Sequence, residues 1–142
     1  MEKITQCPVC EKEDCLVEIH EDIRVEIRGE TIHETMNGYR CKICDSEFEP
    51  PGEDYLDRAY RKYRNIKNWH QPEALINLRE VILGLSQKEF GDLLGMDEQL
   101  IRIYENGGLQ SYTHELLFNL LKLYPSSIET ARRMFECFKE KE

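Results

Sequence analysis

The sequence predicts an α+β fold in two domains, a small β-hairpin domain followed by an all-α bundle. Three observations predict it. Two Cys-x-x-Cys pairs, Cys7-Pro8-Val9-Cys10 and Cys41-Lys42-Ile43-Cys44, bracket a stretch in which apolar and polar residues alternate. From Tyr55 onward the apolar residues recur at helical spacing instead. Between the two regimes stands Pro50-Pro51-Gly52, a breaker of regular structure. The expected division is 1–50 for the β domain, 51–71 for a linker with a basic helix, and 72–142 for the helical domain.

Within the first part, Ile23, Val25 and Ile27 fall on one face of a strand, with Arg24, Glu26 and Arg28 on the other. Gly29-Glu30 breaks the run and Ile32 resumes it, so a hairpin is expected between the cysteine pairs. Asn37-Gly38 supplies a further turn before Cys41. After the breaker, Tyr55, Ala59, Tyr63 and Ile66 share one helix face. Arg58, Arg61, Lys62, Arg64 and Lys67 make the same segment basic, with no acid from 58 to 67. Such a run suits a solvated face, or a linker that contacts phosphate or a partner. Pro72 opens the next helix where its missing N–H costs nothing, and Leu75, Leu78 and Ile82 form its apolar stripe.

Composition narrows the function. The chain has 142 residues and a net charge of −9, which argues against indiscriminate nucleic-acid binding. No apolar run approaches the ~18 residues of a membrane span. The first cysteine comes too early for a signal peptide, so a cytoplasmic protein with reduced thiols is expected. In that setting paired Cys-x-x-Cys turns bind metal more often than they form disulfides. Four thiolates from Cys7, Cys10, Cys41 and Cys44 suit one tetrahedral zinc ion, and four protein ligands make the site structural. A rubredoxin-like iron site is the redox alternative, disfavoured here because Glu11 and Asp45 follow the pairs where glycine is usual. Two disulfides or four free thiols are the other readings. Cys15 suits a small buried residue better than a spare ligand, and Cys137 suits the core. His20, His33, His70 and His114 lack ligand spacing and fit surface or turn positions.

The most informative stretch is 78–107. Ser86 and Glu89 form a capping box ahead of a helix carrying Phe90, Leu93 and Leu94 inward. Gly91 within that helix suits a site of close approach, and Gly95 ends it. Asp97 caps a third helix with Ile101 and Tyr104 inward. Two short helices joined by a tight glycine turn form a unit whose second helix enters the DNA major groove. The residues "LSQKEFGDLLGM" and "IYENG" resemble the repressor/Cro-like (XRE) helix-turn-helix family over about 50 residues. The resemblance implies a lambda-repressor-like bundle with DNA contacts from Gln87, Gln99, Leu100, Arg102 and Ile103. Gln99 would pair with adenine and Arg102 with guanine or phosphate.

Three features depart from that family. Asp97-Glu98 repels phosphate at the start of the recognition helix, Leu100 replaces a small hydroxyl residue, and Ile103 replaces a polar one. Residues 70–142 hold 8 Lys/Arg and 12 Asp/Glu, a net of −4. The alternative is the same fold used only for protein contacts. Further on, Leu116, Leu120, Phe135 and Phe138 either complete the core or form the dimer face that related repressors place at this end.

As an order of motifs, the whole chain resembles the MqsA family of antitoxins, in which a YgiT-type zinc finger precedes an XRE domain. The resemblance implies a zinc domain that binds and neutralises a toxin, a helix-turn-helix that represses the operon through double-stranded DNA, and a homodimer formed by the C-terminal domain. The acidic residues Glu18, Glu21, Asp22, Glu26, Glu30 and Glu34 would suit a basic partner. Other readings are a zinc-containing regulator or adaptor with no toxin, and an electron carrier. No nucleophile with a base, open metal site or phosphate loop is evident, so no enzyme is expected.

Overall fold

A computed structural model describes residues 3–140. Among these, the chain is α+β: a three-stranded antiparallel sheet followed by six α-helices. It divides into two compact units, Met1–Lys67 and Asn68–Glu142.

In the first unit, β1 (Leu16–Ile27) and β2 (Glu30–Cys41) pair from Leu16↔Cys41 to Ile27↔Glu30. Arg28 and Gly29 both take positive φ, 47° and 86°, as a two-residue primed hairpin turn requires. The turn expected at Asn37-Gly38 does not form, and β2 runs straight through it. Gly38 has another purpose there. A Cβ on it would lie 2.3 Å from the Phe48 carbonyl, so glycine lets β3 (Glu47–Phe48) pair with Tyr39 and Arg40.

Because β3 is so short, most of the outer edge of β2 has no strand beside it. Helix α1 (Tyr55–Lys67) supplies the missing donors. Lys62 Nζ donates to the His33 carbonyl at 2.8 Å and Arg58 to the Thr35 carbonyl at 2.7 Å. Covering an open edge removes a template for unwanted strand pairing. Of the 51–71 segment expected as a linker, the part through Lys67 therefore belongs to the first unit, with Ala59 and Tyr63 buried.

The basic run is absorbed by the same docking. Glu34 receives both Arg58 (3.1 Å) and Lys62 (2.7 Å), Lys67 pairs with Glu30 at 2.7 Å, and Arg61 with Asp57 at 2.9 Å. Arg64 is wholly buried. Arg64 is thus withdrawn from the expected solvated or phosphate-contacting stripe, while Lys62 and Lys67 stay exposed with carboxylates as partners. Burial opposes ionisation of Glu34, but Lys62, the Thr35 N–H and Arg58 outweigh it and hold the carboxyl at about 2.

In the second unit, α2 (Pro72–Asn77) starts with Pro72 in its first turn and continues as a π-helical turn, Leu78–Ile82. The wider turn inserts a residue into the helical phase. Leu75 and Leu78 stay buried, but Ile82, expected on the same stripe, turns outward and Arg79 turns in. The capping box of α3 (Gln87–Leu94) forms both bonds, Glu89 N–H to Ser86 Oγ at 3.1 Å and Ser86 N–H to Glu89 Oε1 at 3.2 Å. Gly95 ends α3 at φ 69°, and Asp97 caps α4 (Glu98–Glu105) through the Gln99 N–H at 2.8 Å. A Cβ on Gly91 would sit 2.6 Å from the Met96 carbonyl and 3.4 Å from the Glu98 N, so the turn and the start of α4 make the close approach there.

Helices α5 (Tyr112–Leu123) and α6 (Ser127–Glu140) complete the unit. Leu78, Phe90, Ile101, Phe118, Leu121 and Ile128 lie at its centre, and Tyr104 meets Phe118 edge-on at 6.2 Å. Burying each such side chain contributes roughly 1.5–3 kcal/mol. Cys137, expected in the core, is exposed, as are Leu116, Leu120 and Phe138. No described helix is long and apolar enough to cross a membrane.

Candidate functional site

Each cysteine pair sits in the same local fold. Cys7 N–H donates to the Lys12 carbonyl at 3.0 Å, and Cys41 N–H to the Ser46 carbonyl at 2.9 Å. Inside these turns, Val9 and Cys10 donate their N–H groups to Cys7 Sγ at 3.4 and 3.5 Å. Ile43 and Cys44 do the same to Cys41 Sγ at 3.4 and 3.5 Å. Glu11 and Asp45 then take φ 62° and 63°, closing each turn onto the carbonyl of the first cysteine. The left-handed conformation usual for glycine is thus adopted without it, and the missing glycines do not separate zinc from iron. The N–H groups of Cys44 and Ile43, opposed by burial, lower the Cys41 thiol to about 6, poising it as a thiolate.

Strand pairing brings the two turns face to face. Cys7 Sγ lies 3.7 Å from Cys44 Sγ, and Cys10 Sγ 3.6 Å from Cys41 Sγ. All four sulfurs lie within 4.8 Å of one another. A tetrahedral ion with metal–sulfur bonds of about 2.3 Å needs sulfur separations of about 3.8 Å. The donor set and its spacing therefore fit one four-coordinate metal ion. The four expected ligands are brought together; Cys15 is buried as expected, and Ser46 is a neighbour that the sequence did not single out. Ser46 Oγ stands 3.3 Å from Cys44 Sγ, and Cys15 Sγ stands 3.5 Å from Cys41 Sγ.

The second group of expected residues lies on α3 and α4. Gln99, Arg102 and Ile103 are exposed, whereas Leu100 is half-buried against the core. Gln87 Oε1 accepts from Arg102 Nε at 3.2 Å, so those two side chains are adjacent across the turn. Glu98 holds Arg102 at 2.9 Å, and Gln87 Nε2 donates to Glu105 at 3.2 Å. Glu105 also takes Arg79, at 2.7 Å, and both side chains are buried. Sequence spacing could not find this pair, because only the π-helical turn points Arg79 inward.

His70 corrects another expectation. It is buried rather than superficial, with its backbone N–H 2.8 Å and Nδ1 2.7 Å from Glu115 Oε1. Gln110 Nε2 completes the network by donating to the His70 carbonyl (2.8 Å) and to Glu115 Oε2 (3.1 Å). Burial opposes ionisation of Glu115, and these partners reverse it, holding its carboxyl low. The arrangement ties the chain before α2 to α5, a structural task. A groove of about 510 Å³ beside the hairpin is lined by Asp22, Arg24, His33, Glu34 and Lys62, whose mixed charges select no one ligand sign.

No protein-family model matches the chain, and a search of curated proteins finds no match.

Proposed function

We propose that this protein is a DNA-binding transcriptional regulator of two domains, a zinc-stapled β domain and a repressor-type helix-turn-helix formed by α3 and α4. One observation carries the reading. Gln87 at the start of α3 touches Arg102 of α4, and Gln99 and Ile103 are exposed on α4 beside it. Polar side chains capable of bidentate base contacts are thereby gathered on one exposed face. In this reading α4 enters the major groove and Gln87 anchors α3 to a phosphate. The order of motifs further suggests an antitoxin, with the first domain holding a basic toxin. Leu116, Leu120 and Leu123 form an exposed stripe on α5 that suits a homodimer over a palindromic operator.

A protein-binding adaptor is the second reading, and a specific observation favours it. The cations around α3 and α4 already have acidic partners: Arg79 with Glu105, Lys88 with Asp92, Arg102 with Glu98.

A gel-shift titration against the DNA upstream of its own gene separates the two. The regulator gives a shift that weakens steeply with salt and is lost in a Gln99→Ala/Arg102→Ala variant. No shift at low salt leaves the adaptor. Adding the product of the neighbouring gene to the same titration tests the antitoxin role, and an unchanged shift with no co-sedimentation would remove it.

A further inference from the structure

The metal reading needs four cysteines, yet a fifth is held against them. Cys15 is 4% exposed, its Sγ lies 3.5 Å from Cys41 Sγ, and its S–H donates to the Lys12 carbonyl at 3.3 Å. Its backbone is fixed as firmly. The Cys15 carbonyl accepts the Lys42 N–H at 2.8 Å, and the next residue, Leu16, pairs with Cys41 in the ladder. The thiol is therefore placed by the first unit's own strand pairing. It is not one of the four sulfurs that all lie within 4.8 Å of one another, so it stands outside the tetrahedron.

We propose that Cys15 belongs to the metal centre as a hydrogen-bond donor to the Cys41 ligand. The proposal rests on the metal reading and adds a residue to it. A metal-bound Cys41 carries no proton, so the only S–H able to span the 3.5 Å gap is that of Cys15. A donor facing a charged sulfur is held more strongly than one facing a neutral carbonyl, so the S–H turns from Lys12 to Cys41. Four thiolates around a divalent ion leave two surplus negative charges, in a chain whose net charge is already −9. Cys41 accepts two backbone N–H groups, and Cys15 adds a third donor that spreads this charge. Groups that orient and relieve a ligand in this way raise metal affinity.

The test is zinc affinity of the full chain, by competition with a chromophoric chelator, for the natural protein and for Cys15→Ser, Cys15→Val and Cys15→Ala. Serine keeps a donor, valine keeps the volume without one, and alanine keeps neither. The expected result is serine within about 3-fold of the natural protein, and valine and alanine each weaker by about 10-fold or more. Cobalt-loaded samples should all keep the absorption of a four-sulfur tetrahedral site. Affinity unchanged in valine and alanine would show that Cys15 only fills space. Serine as weak as alanine would remove the donor role. Loss of a sulfur-to-cobalt band in the serine variant would make Cys15 a ligand. Metal analysis of the natural protein comes first, because a metal-free result there sinks the zinc reading itself, and the Cys15 proposal with it.

Discussion

In the first unit Cys7, Cys15 and Cys41 form one buried cluster, a few apolar side chains such as Ile27, Ile32, Ala59 and Tyr63 are buried besides, and Glu34 ties α1 to β2 through Arg58 and Lys62. In the second unit the interior is Leu78, Phe90, Ile101, Phe118 and their apolar neighbours, and the helix ends carry their own caps. Both units are of similar length, so size does not explain the contrast. A two-layer helical bundle can bring apolar stripes together from several directions. A single hairpin with one helix has too little apolar surface to offset the entropy of ordering it. The cysteine cluster and the charge pairs on Glu34 supplement that small apolar layer, and a metal ion held by the four sulfurs would add to them.

Removing the metal should break the comparison most widely. In the zinc reading, apparent binding to such a site is worth on the order of 10 kcal/mol and would count as folding free energy of the first unit. Chelation should therefore erase the strand signals of residues 16–41 in an NMR spectrum while those of residues 72–123 persist. Persistence of both sets would mean that the hairpin stands without metal. Phe118→Ala should give the mirror image. Truncating a buried phenylalanine costs about 3–5 kcal/mol, so the second unit should melt early while the bound metal per chain stays the same. Simultaneous loss of metal would show that the units depend on each other.

The smallest effect concerns the docking of α1. Glu34→Gln at neutral pH should weaken the first unit by about 1–3 kcal/mol, because Lys62 and Arg58 both lose a charged acceptor. The sign with pH follows from the lowered carboxyl. Its folded value, about 2, lies below the usual 4.5, so the stabilisation is full above pH 4.5 and is lost as pH falls toward 2. The cysteine site would also shed its metal as pH falls. The quantity to follow is therefore the difference in denaturant midpoint between the natural chain and the Glu34→Gln variant, which should begin to shrink as pH drops below 4.5. A constant difference would assign the effect to shape instead of charge.

What can be read from sequence is what the chain specifies locally. The cysteine turns, the Ser86–Glu89 box, the Gly95 stop and the Asp97 cap each depend on residues within about four positions. Ile27 and Ile32 are also legible, since alternation in a strand is a local rule. Non-local pairings are not. Nothing near Glu34 announces Arg58 or Lys62, and nothing near His70 announces Glu115. The phase error at Ile82 comes from a π-helical turn, which a fixed helical period cannot anticipate. Asn37-Gly38 reads as a turn until Phe48 is known to cross it. The apolar pattern of α6 suggests a core position for Cys137, but only its first turns, with Ile128 and Ala131, pack on the core, and Met134, Cys137 and Phe138 are exposed.

The ladder between β1 and β2 is tied at both ends, by Arg28-Gly29 at one and by the four sulfurs at the other. At about 3.4 Å per residue its twelve pairs span roughly 40 Å, longer than an ordinary strand. A ribbon fastened at one end frays from the other, and its amides exchange with solvent along a gradient. Fastened at both, it has no free end from which opening can start, and its weakest point moves to the middle, near Asp22 and Thr35. That is where Arg58 grips the carbonyl of Thr35. The helix thus clamps the ribbon at the position farthest from either knot.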